Sequence, residues 1–221
     1  MKSKYGLLLG CLALVGCSQS ESIYDDYDKE SLFNRIESRY AADDAMSVRE
    51  AAESFVTRFP FDENIDTVRL RLLSSYIQSK RYKIATAYAD RLLNGVLLNE
   101  SYYEDVEYYK ILVTIAKSKH WMAELLKMEN VYRNYAELDQ VVDGINTFSA
   151  KYPHSQYAED LAGYKVEIDQ TLAEYELGVA LHYAKKGNIK ASKLRYDRYV
   201  EKYAHIDSPI LDQLESYLDA E

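Results

Sequence analysis

The chain has 221 residues, and its 48% of apolar residues are enough for a folded core. Eight glycines and three prolines are too few for the many tight turns of a β-sandwich or β-barrel, so an all-α fold is expected. The formal net charge of −9 argues against a general affinity for nucleic acid, whereas 22 tyrosines offer broad amphipathic surfaces for protein partners.

Residues 1–16 have the features of a secretory signal peptide. Lys2 and Lys4 precede an apolar run, Tyr5–Val15, which is too short to span a bilayer but has the length of a signal-peptide core. The run ends in Leu-Val-Gly-Cys at 14–17, which is similar to the lipobox of lipoprotein precursors, where the chain is cut before a lipidated cysteine. The sequence therefore predicts lipidation of Cys17 and removal of residues 1–16.

Two other interpretations of this segment are open. Leu-Leu-Gly-Cys at 8–11 offers a second lipobox with a shorter apolar core, and an ordinary signal peptide can have a cysteine near its cut. Cleavage before Cys17 leaves that one cysteine, already lipidated, and no disulfide in an oxidising compartment. Its two or three acyl chains would make a stable membrane anchor. Ser18, where Asp would favour the inner membrane, predicts the periplasmic face of the outer membrane.

The mature chain begins with an acidic segment. Cleavage removes Lys2 and Lys4, so the net charge of −9 becomes −11 once those two positive charges are gone. Between Ser18 and Glu30 the residues are polar and acidic with little to bury, which predicts a solvated tether of about 13 residues that reaches roughly 40 Å. Residues 17–30 are thus interpreted as the lipidated cysteine and its tether.

From Ser31 onward the hydrophobic pattern is helical. One apolar face follows the i, i+3, i+4, i+7, i+8 spacing of a helix at Ala85, Tyr88, Ala89, Leu92 and Leu93. A similar face that starts at Val68 precedes it, so a helical hairpin broken at 79–81 is predicted. A long helix is predicted from an N-cap at Ser155 to a stop at Gly187.

A recurring helix ending indicates repeats. Three helices are predicted to close with two aromatic residues four positions apart, the first two before proline. The pairs are Phe55 and Phe59, Phe148 and Tyr152, and Tyr199 and Tyr203. These endings predict a tetratricopeptide-like solenoid of four to five degenerate helical hairpins over residues 31–205, which would present docking surfaces for other proteins, and then a short acidic helix at 206–221. The alternative is an irregular helical bundle without a groove.

No arrangement of reactive residues predicts catalysis, a metal or a cofactor. The four histidines, His120, His154, His182 and His205, lie at no metal-ligand spacing, and no phosphate-binding glycine loop is present. Glu-Ser pairs at 53–54, 100–101 and 215–216 resemble the catalytic glutamate context of lytic transglycosylases, but such pairs arise by chance in a chain so rich in both residues. A non-catalytic protein is therefore expected.

The strongest charge feature lies near the C-terminus, where residues 185–202 have a local charge of +5. The basic residues are Lys185, Lys186, Lys190, Lys193, Arg195, Arg198 and Lys202. One interpretation is a solvated face whose bases pair with the acidic residues from Asp207 to Glu221. The other is a docking face for an acidic partner, to which arginine would offer a planar, bidentate contact.

Several segments resemble the BamD family, lipoproteins of the β-barrel assembly machinery. The most distinctive is Lys-Tyr-Pro-His-Ser-Gln-Tyr-Ala at 151–158, continued by Leu-Ala-Glu-Tyr-Glu-Leu at 172–177 and His-Tyr-Ala-Lys-Lys-Gly at 182–187. Arg-Phe-Pro-Phe at 58–61 and the hairpin at 68–93 are similar to the N-terminal half of the family. The resemblance covers residues 31–203, most of the mature chain.

The resemblance implies an outer membrane lipoprotein with five repeats that binds the periplasmic POTRA domains of BamA. It would act with the other lipoproteins of that BAM complex to fold and insert β-barrel precursors, and its lipid anchor would hold it to the membrane. In the family the N-terminal repeats bind unfolded precursors, which implies contacts from Arg58, Phe59 and Phe61. The alternative is that Phe59 and Phe61 only cap the first hairpin. An arginine of the C-terminal repeat contacts BamA, and its match is Arg195, with Lys193 and Arg198 beside it.

The chain also departs from the family pattern. Asp62 stands where the family has glycine, and residues 119–140 differ from the inserted loop of the family. The sequence stops at Glu221, short of the family's extended final helix, so a contact with BamC is not implied. The alternative function is that of another periplasmic repeat lipoprotein, one that supports pilus secretin or cell-wall assembly.

Overall fold

The computed structural model of the chain describes residues 23, 24, 26–96, 99–125 and 135–218, with the backbone alone for 119–125 and 135–137. The predicted signal peptide, Cys17 and the start of the predicted tether lie outside the described residues. So do residues 126–134, within the segment that departs from the family pattern, and residues 219–221 of the predicted C-terminal helix.

Helices and short turns make up the described ranges. The helices are α1 (Lys29–Ala41), α2 (Ala45–Arg58), α3 (Ile65–Gln78), α4 (Tyr82–Arg91), α5 (Tyr103–Leu125), α6 (Tyr135–Lys151), α7 (Ala158–Lys185), α8 (Ile189–Tyr203) and α9 (Pro209–Leu218). Successive helices from α1 to α8 pair as antiparallel hairpins, and α9 packs against α7. The predicted all-α fold of tetratricopeptide-like hairpins is therefore confirmed.

Three hairpins close with the same tight turn. At Asp43, Lys80 and Gly187 the backbone enters the left-handed region, with φ of 59°, 57° and 72°. Each of these N–H groups bonds back three residues and the next N–H bonds back five, as Arg81 N does to Tyr76 O at 2.8 Å. This is the Schellman ending of a helix, and the residue after it starts the next helix. The predicted stop at Gly187 and the break at 79–81 are confirmed.

A second turn type recurs between hairpins, at the ends of α2 and α6. Phe59 N donates to Phe55 O, and Tyr152 N donates to Phe148 O, both at 2.8 Å. The rings of each pair pack together, with centroids 5.2 Å and 4.9 Å apart. The proline that follows each pair has no N–H with which to continue the helix. The predicted aromatic endings of these two helices are confirmed.

The prediction that Ser155 is the N-cap of α7 was wrong. Ser155 lies in the turn before the helix, where its Oγ accepts the N–H of Tyr157 at 3.0 Å, and α7 begins at Ala158. Asp62 has the equivalent position in the turn after α2, and its Oδ1 accepts from Asn64 N at 2.9 Å. The two roles are hard to separate in a sequence, because a short polar side chain stabilises such a turn as readily as it caps a helix.

Two apolar clusters meet at α5. The N-terminal cluster comes from α1–α4 and includes Val106 and Val113 of α5. The C-terminal cluster comes from α6–α9 and includes Tyr108 and Ile115 of α5. Residues seven positions apart lie on one side of a helix, so each pair marks a separate apolar face. Helix α5 therefore joins the two halves of the repeat domain.

The end of the predicted tether contacts the first hairpin. Tyr24 is only 2% exposed and belongs to the N-terminal cluster, and α1 begins at Lys29. Asp28 caps this helix, with its Oδ1 accepting from Ser31 N at 2.8 Å. This end of the predicted tether is therefore attached to the folded domain at Tyr24 and at the start of α1, while Asp26, Asp28, Lys29 and Glu30 are exposed. Its tyrosines provide apolar surface, which was overlooked in the sequence because the segment is rich in carboxylates.

Candidate docking surfaces

The residues suggested to bind precursors lie together at the end of α2, but they differ in exposure. Phe59 is partly buried against Phe55. Arg58 donates two hydrogen bonds to backbone carbonyls of the segment before α1, and its guanidinium lies 4.9 Å from the centroid of the Phe59 ring. Phe61, by contrast, is 87% exposed. Arg58 is exposed but already bonded, so Phe61 is the apolar side chain of the three that is open to a partner.

The turn that presents Phe61 is braced by its neighbour Asp62. Asp62 accepts the N–H of Asn64, and Nζ of Lys29 lies 2.8 Å from its Oδ2. Burial alone would raise the pKa of Asp62, but the hydrogen bonds from Lys29 and Asn64 outweigh it and hold the pKa below its ordinary value. The departure from the glycine of the family therefore gives this turn an ionised brace.

A set of polar contacts that the sequence did not reveal joins the first helices of three successive hairpins. Arg71 of α3 donates to Glu37 of α1 at 2.9 and 3.0 Å and lies 3.9 Å from the ring centroid of Tyr40. The hydroxyls of Tyr40 and of Tyr109 in α5 are 3.4 Å apart. The hydrogen bond with Glu37 is the main cause that raises the pKa of Arg71. The high tyrosine content was the one signal in the sequence, and it does not locate a contact.

The segment that most resembles the BamD family forms a joint with α5. The Tyr157 ring stacks on Tyr108, with centroids 3.8 Å apart. Three neighbouring carboxylates of α5 accept hydrogen bonds from side chains of 151–157. The pairs are Tyr157 with Asp105, Ser155 with Glu104, and Lys151 with Glu107. These polar residues fix α5 against the start of α7, which gives the distinctive segment a structural role.

A cleft of 390 Å³ opens between α5 and α6, beside the end of α4. Apolar side chains, including Leu93, Ile111 and Val141, form part of its wall. Lys110 on its rim pairs with Asp90 at 2.6 Å. The cleft thus offers apolar surface to a partner, while the positive charge of that lysine is already paired.

Arg195, the residue suggested to contact BamA, is turned toward α7. Its Nη1 lies 3.1 Å from Oε2 of Glu176, and its guanidinium lies 6.0 Å from the ring centroid of Tyr175. At 100° per residue, Lys193 points about 160° away from Arg195 around α8, and Arg198 about 60° away. Lys193 lines a cleft of 580 Å³ between α8 and α9. The three basic residues therefore do not share one face of the helix.

The ion pairs of α8 within the described residues lead to earlier helices. Arg195 pairs with Glu176 of α7, and Nζ of Lys202 lies 3.9 Å from Asp139 of α6. Neither base pairs with Asp207, Asp212 or Glu215, the acidic residues of the tail that the structure describes, so pairing between the tail and the rest of the basic helix stays a prediction. Lys190 and Arg198 are exposed on α8, which leaves positive charge at the surface.

The family of the chain follows from its match to a family model. The model, described as YfiO, outer membrane lipoprotein, matches residues 25–216. The chain belongs to the YfiO family of outer membrane lipoproteins. Apart from Tyr24, the match contains every buried residue of the two apolar clusters, together with the braced turn that holds Phe61 and the whole of α8.

Curated relatives of this YfiO-family chain point the same way. A protein of Vibrio cholerae is 25% identical over 186 residues, which cover 83% of this chain and 77% of the relative. A protein of Pasteurella multocida is 22% identical over 186 residues, which cover 84% of this chain and 71% of the relative. Both are described as outer membrane protein assembly factor BamD. The suspected BamD relationship is confirmed, and by distant homology the chain is an outer membrane assembly factor of that family.

The residues considered for catalysis in this YfiO-family lipoprotein lie on different elements. Glu53 of α2 accepts a hydrogen bond from the hydroxyl of Tyr76 at 2.8 Å, Glu100 lies in the short 3₁₀ turn before α5, and Glu215 lies on α9.

Within the described ranges, no three acidic, histidine or cysteine side chains come together as a metal-binding group. No helix in those ranges is long and apolar enough to cross a membrane.

Proposed function

We propose that the mature protein is a non-catalytic scaffold of the β-barrel assembly machinery, anchored by lipid on Cys17 to the periplasmic face of the outer membrane. In this role it helps to assemble and insert β-barrel proteins. The observation that carries the proposal is the family match over residues 25–216, which spans every helical hairpin of the fold. Helical hairpins of this kind serve as platforms because stacking leaves long continuous surfaces for other proteins.

The N-terminal end of the platform is the proposed site for unfolded precursors. Phe61 is the main contact, since its exposed aromatic ring can bury apolar surface against a partner. Because the turn that carries it is already ordered by hydrogen bonds, binding loses little conformational entropy there. Phe59 contributes the exposed part of its ring. Arg58 contributes by holding the turn, because its guanidinium is already bonded to backbone carbonyls.

The C-terminal end of the platform is the proposed site for the POTRA domains of BamA. Helix α8 brings Arg195, Lys193 and Arg198 to this end in an otherwise acidic protein. Complementary charge speeds encounter and fixes register in protein complexes. In this arrangement the exposed Arg198 faces the partner, and Arg195, about 60° from it around α8, reaches the partner by exchanging or sharing Glu176. Lys193 lies about 140° from Arg198, on the side of α9, and adds positive charge there.

Two substitutions at one ion pair separate a docking role of Arg195 from a structural one. Arg195→Gln removes the charge and the tie to Glu176, whereas Glu176→Gln removes the tie and leaves the guanidinium available. We expect Arg195→Gln to weaken capture of the POTRA domains about tenfold or more, and Glu176→Gln to retain or strengthen it. Equal losses of affinity in both variants would assign Arg195 to the α7–α8 contact alone.

The proposal as a whole is tested by purifying the lipidated protein from native outer membranes in mild detergent and identifying its companions by mass spectrometry. A BamA-like protein with POTRA domains is the expected main companion, together with other lipoproteins of the complex. Recovery of a pilus secretin or of cell-wall enzymes in its place would contradict the assignment to barrel assembly.

A further inference from the structure

The segment just before α1 is docked on the first hairpin. Tyr24 is 2% exposed, and its carbonyl accepts the N–H of Tyr27 at 3.1 Å, which closes a turn. The two rings meet edge to face, with centroids 5.8 Å apart. Asp28 follows directly and caps α1. Tyr24, Tyr27 and Asp28 are thus linked to one another and to the start of the helix by contacts within the segment.

Two arginines from α1 and α2 hold this segment from outside it. Arg58 at the end of α2 donates to the carbonyls of Tyr24 at 2.6 Å and Tyr27 at 2.8 Å. The guanidinium of Arg35 in α1 lies 5.6 Å from the ring centroid of Tyr24 and 5.7 Å from that of Tyr27. Hydrogen bonding with Tyr24 is the main cause that raises the pKa of Arg35. Arg58 thus binds the backbone of this short segment, and Arg35 contacts its two rings.

A further ion pair ties the helix start to the turn that presents Phe61. Lys29, the first residue of α1, pairs with Asp62 at 2.8 Å. Arg58 also belongs to that turn, because it is the last residue of α2. Arg58 consequently fastens the segment before α1 to this turn, and Asp62 fastens the first residue of α1 to it.

We propose that Tyr24, Tyr27 and Asp28 form a latch that fixes the lipid anchor to the first hairpin and so sets the distance between the Phe61 turn and the membrane. The inference rests on the proposed lipidation of Cys17. Seven residue steps separate Cys17 from Tyr24 and span at most about 25 Å. With the latch open, the twelve steps from Cys17 to Lys29 span up to about 43 Å.

Arg58 is the positioning residue of this latch. It bonds to backbone carbonyls, so its grip depends on the path of the chain and not on the side chains of the segment. The latch places the exposed aromatic ring close to the surface into which a barrel precursor must go. With the latch open, the chain between Cys17 and the first hairpin could span nearly twice the distance, so the Phe61 ring could lie much farther from the membrane.

Amide hydrogen exchange tests the latch itself, in the detergent-solubilised lipidated chain. In Arg58→Gln, the amides of Tyr27 and Ser31 should exchange at least about tenfold faster than in the parent, because their acceptors lie in the released segment. Arg39→Gln is the control, since Arg39 makes its ion pair with Asp44 at the other end of α1. Unchanged exchange at Tyr27 in Arg58→Gln, with helix content retained, would overturn the latch.

Energy transfer to lipid tests what the latch does. Met46 is 63% exposed at the start of α2, and Met46→Cys gives a single reactive thiol because Cys17 is acylated. A dye on this thiol, with an acceptor lipid in phospholipid vesicles, should lose transfer efficiency when Arg58→Gln or Lys29→Gln is introduced. Equal efficiency in parent and variants would contradict the spacing role. Failure of the parent to bind vesicles would contradict the proposed lipidation, and the exchange result would still report on the latch.

Discussion

Aromatic residues in similar sequence surroundings have different roles in this protein. Phe55 is fully buried in the N-terminal cluster, Phe59 is partly buried beside it, and Phe61 is exposed, although all three lie within seven residues. The helical face decides the first two positions, and the turn after Pro60 decides the third. Their contributions to stability should therefore differ sharply.

We expect Phe55→Ala to lower the free energy of unfolding by about 3–5 kcal/mol, because it leaves a cavity in a packed cluster. Phe61→Ala should change it by less than about 0.5 kcal/mol, because the ring is already in water. Urea unfolding followed by circular dichroism measures both values. A large loss of stability in Phe61→Ala would show that this ring supports the fold and is not available for a partner.

Buried tyrosines give the fold a predicted sensitivity to alkali. Burial raises the pKa of Tyr88, Tyr108 and Tyr203 to about 12 in the folded chain, and nearby carboxylates add to the shift at the latter two. A raised pKa favours the neutral hydroxyl in the folded state, so the stability it contributes is complete below pH 10 and is lost as the pH rises through about 12. Helix content should fall over that interval together with a late rise in tyrosinate absorbance. Ionisation of all tyrosines near pH 10 without unfolding would contradict these environments.

Single residues were predicted from the sequence where one local rule decides their place. The aromatic pairs at the ends of α2 and α6 follow from helical spacing and the prolines after them. Arg195 and Arg71 could not be placed in this way, because their partners Glu176 and Glu37 lie on other helices. The buried state of Tyr24 was missed for the same reason, since its contacts come from residues more than ten positions away.

At the scale of helices and turns, two turn types repeat along the chain. One closes hairpins through a left-handed residue, at Asp43, Lys80 and Gly187. Of these three left-handed residues, only Gly187 was predicted from its residue type. Glycine favours a left-handed backbone, whereas aspartate and lysine do not indicate one. The hairpin at 68–93 was still predicted correctly, since its two apolar faces are evident on either side of the break.

Because these turns share a left-handed residue, substitutions at two of them should change the stability of the fold in opposite directions. Gly187→Ala should destabilise the fold by about 1 kcal/mol, because alanine is strained at a positive φ even though space is open around it. Lys80→Gly should stabilise it by up to about 1 kcal/mol, because the strain of a side chain at φ of 57° is removed. Thermal unfolding of the two variants gives both signs. A stabilised Gly187→Ala would show that the turn does not need its left-handed residue.

At the scale of the whole molecule, α5 connects an N-terminal end that presents Phe61 with a C-terminal end that presents α8. The sequence predicted both ends from charge, aromatic spacing and family resemblance. It did not predict the joint between them, because the carboxylates of α5 are 44 or more residues away from the donors that bind them. The joint gives the distinctive segment at 151–158 a structural role through Tyr157, Ser155 and Lys151.

The proposed role of this lipoprotein is to help insert β-barrels into the outer membrane. Its most direct test is to deplete the protein from the cells that make it and to measure folded and unfolded forms of outer-membrane barrels by heat-modifiable gel mobility. If the protein has this role, folded barrels should decline and unfolded precursors should rise, while other lipoproteins stay at their normal level. Undiminished folding of barrels after complete depletion would contradict it.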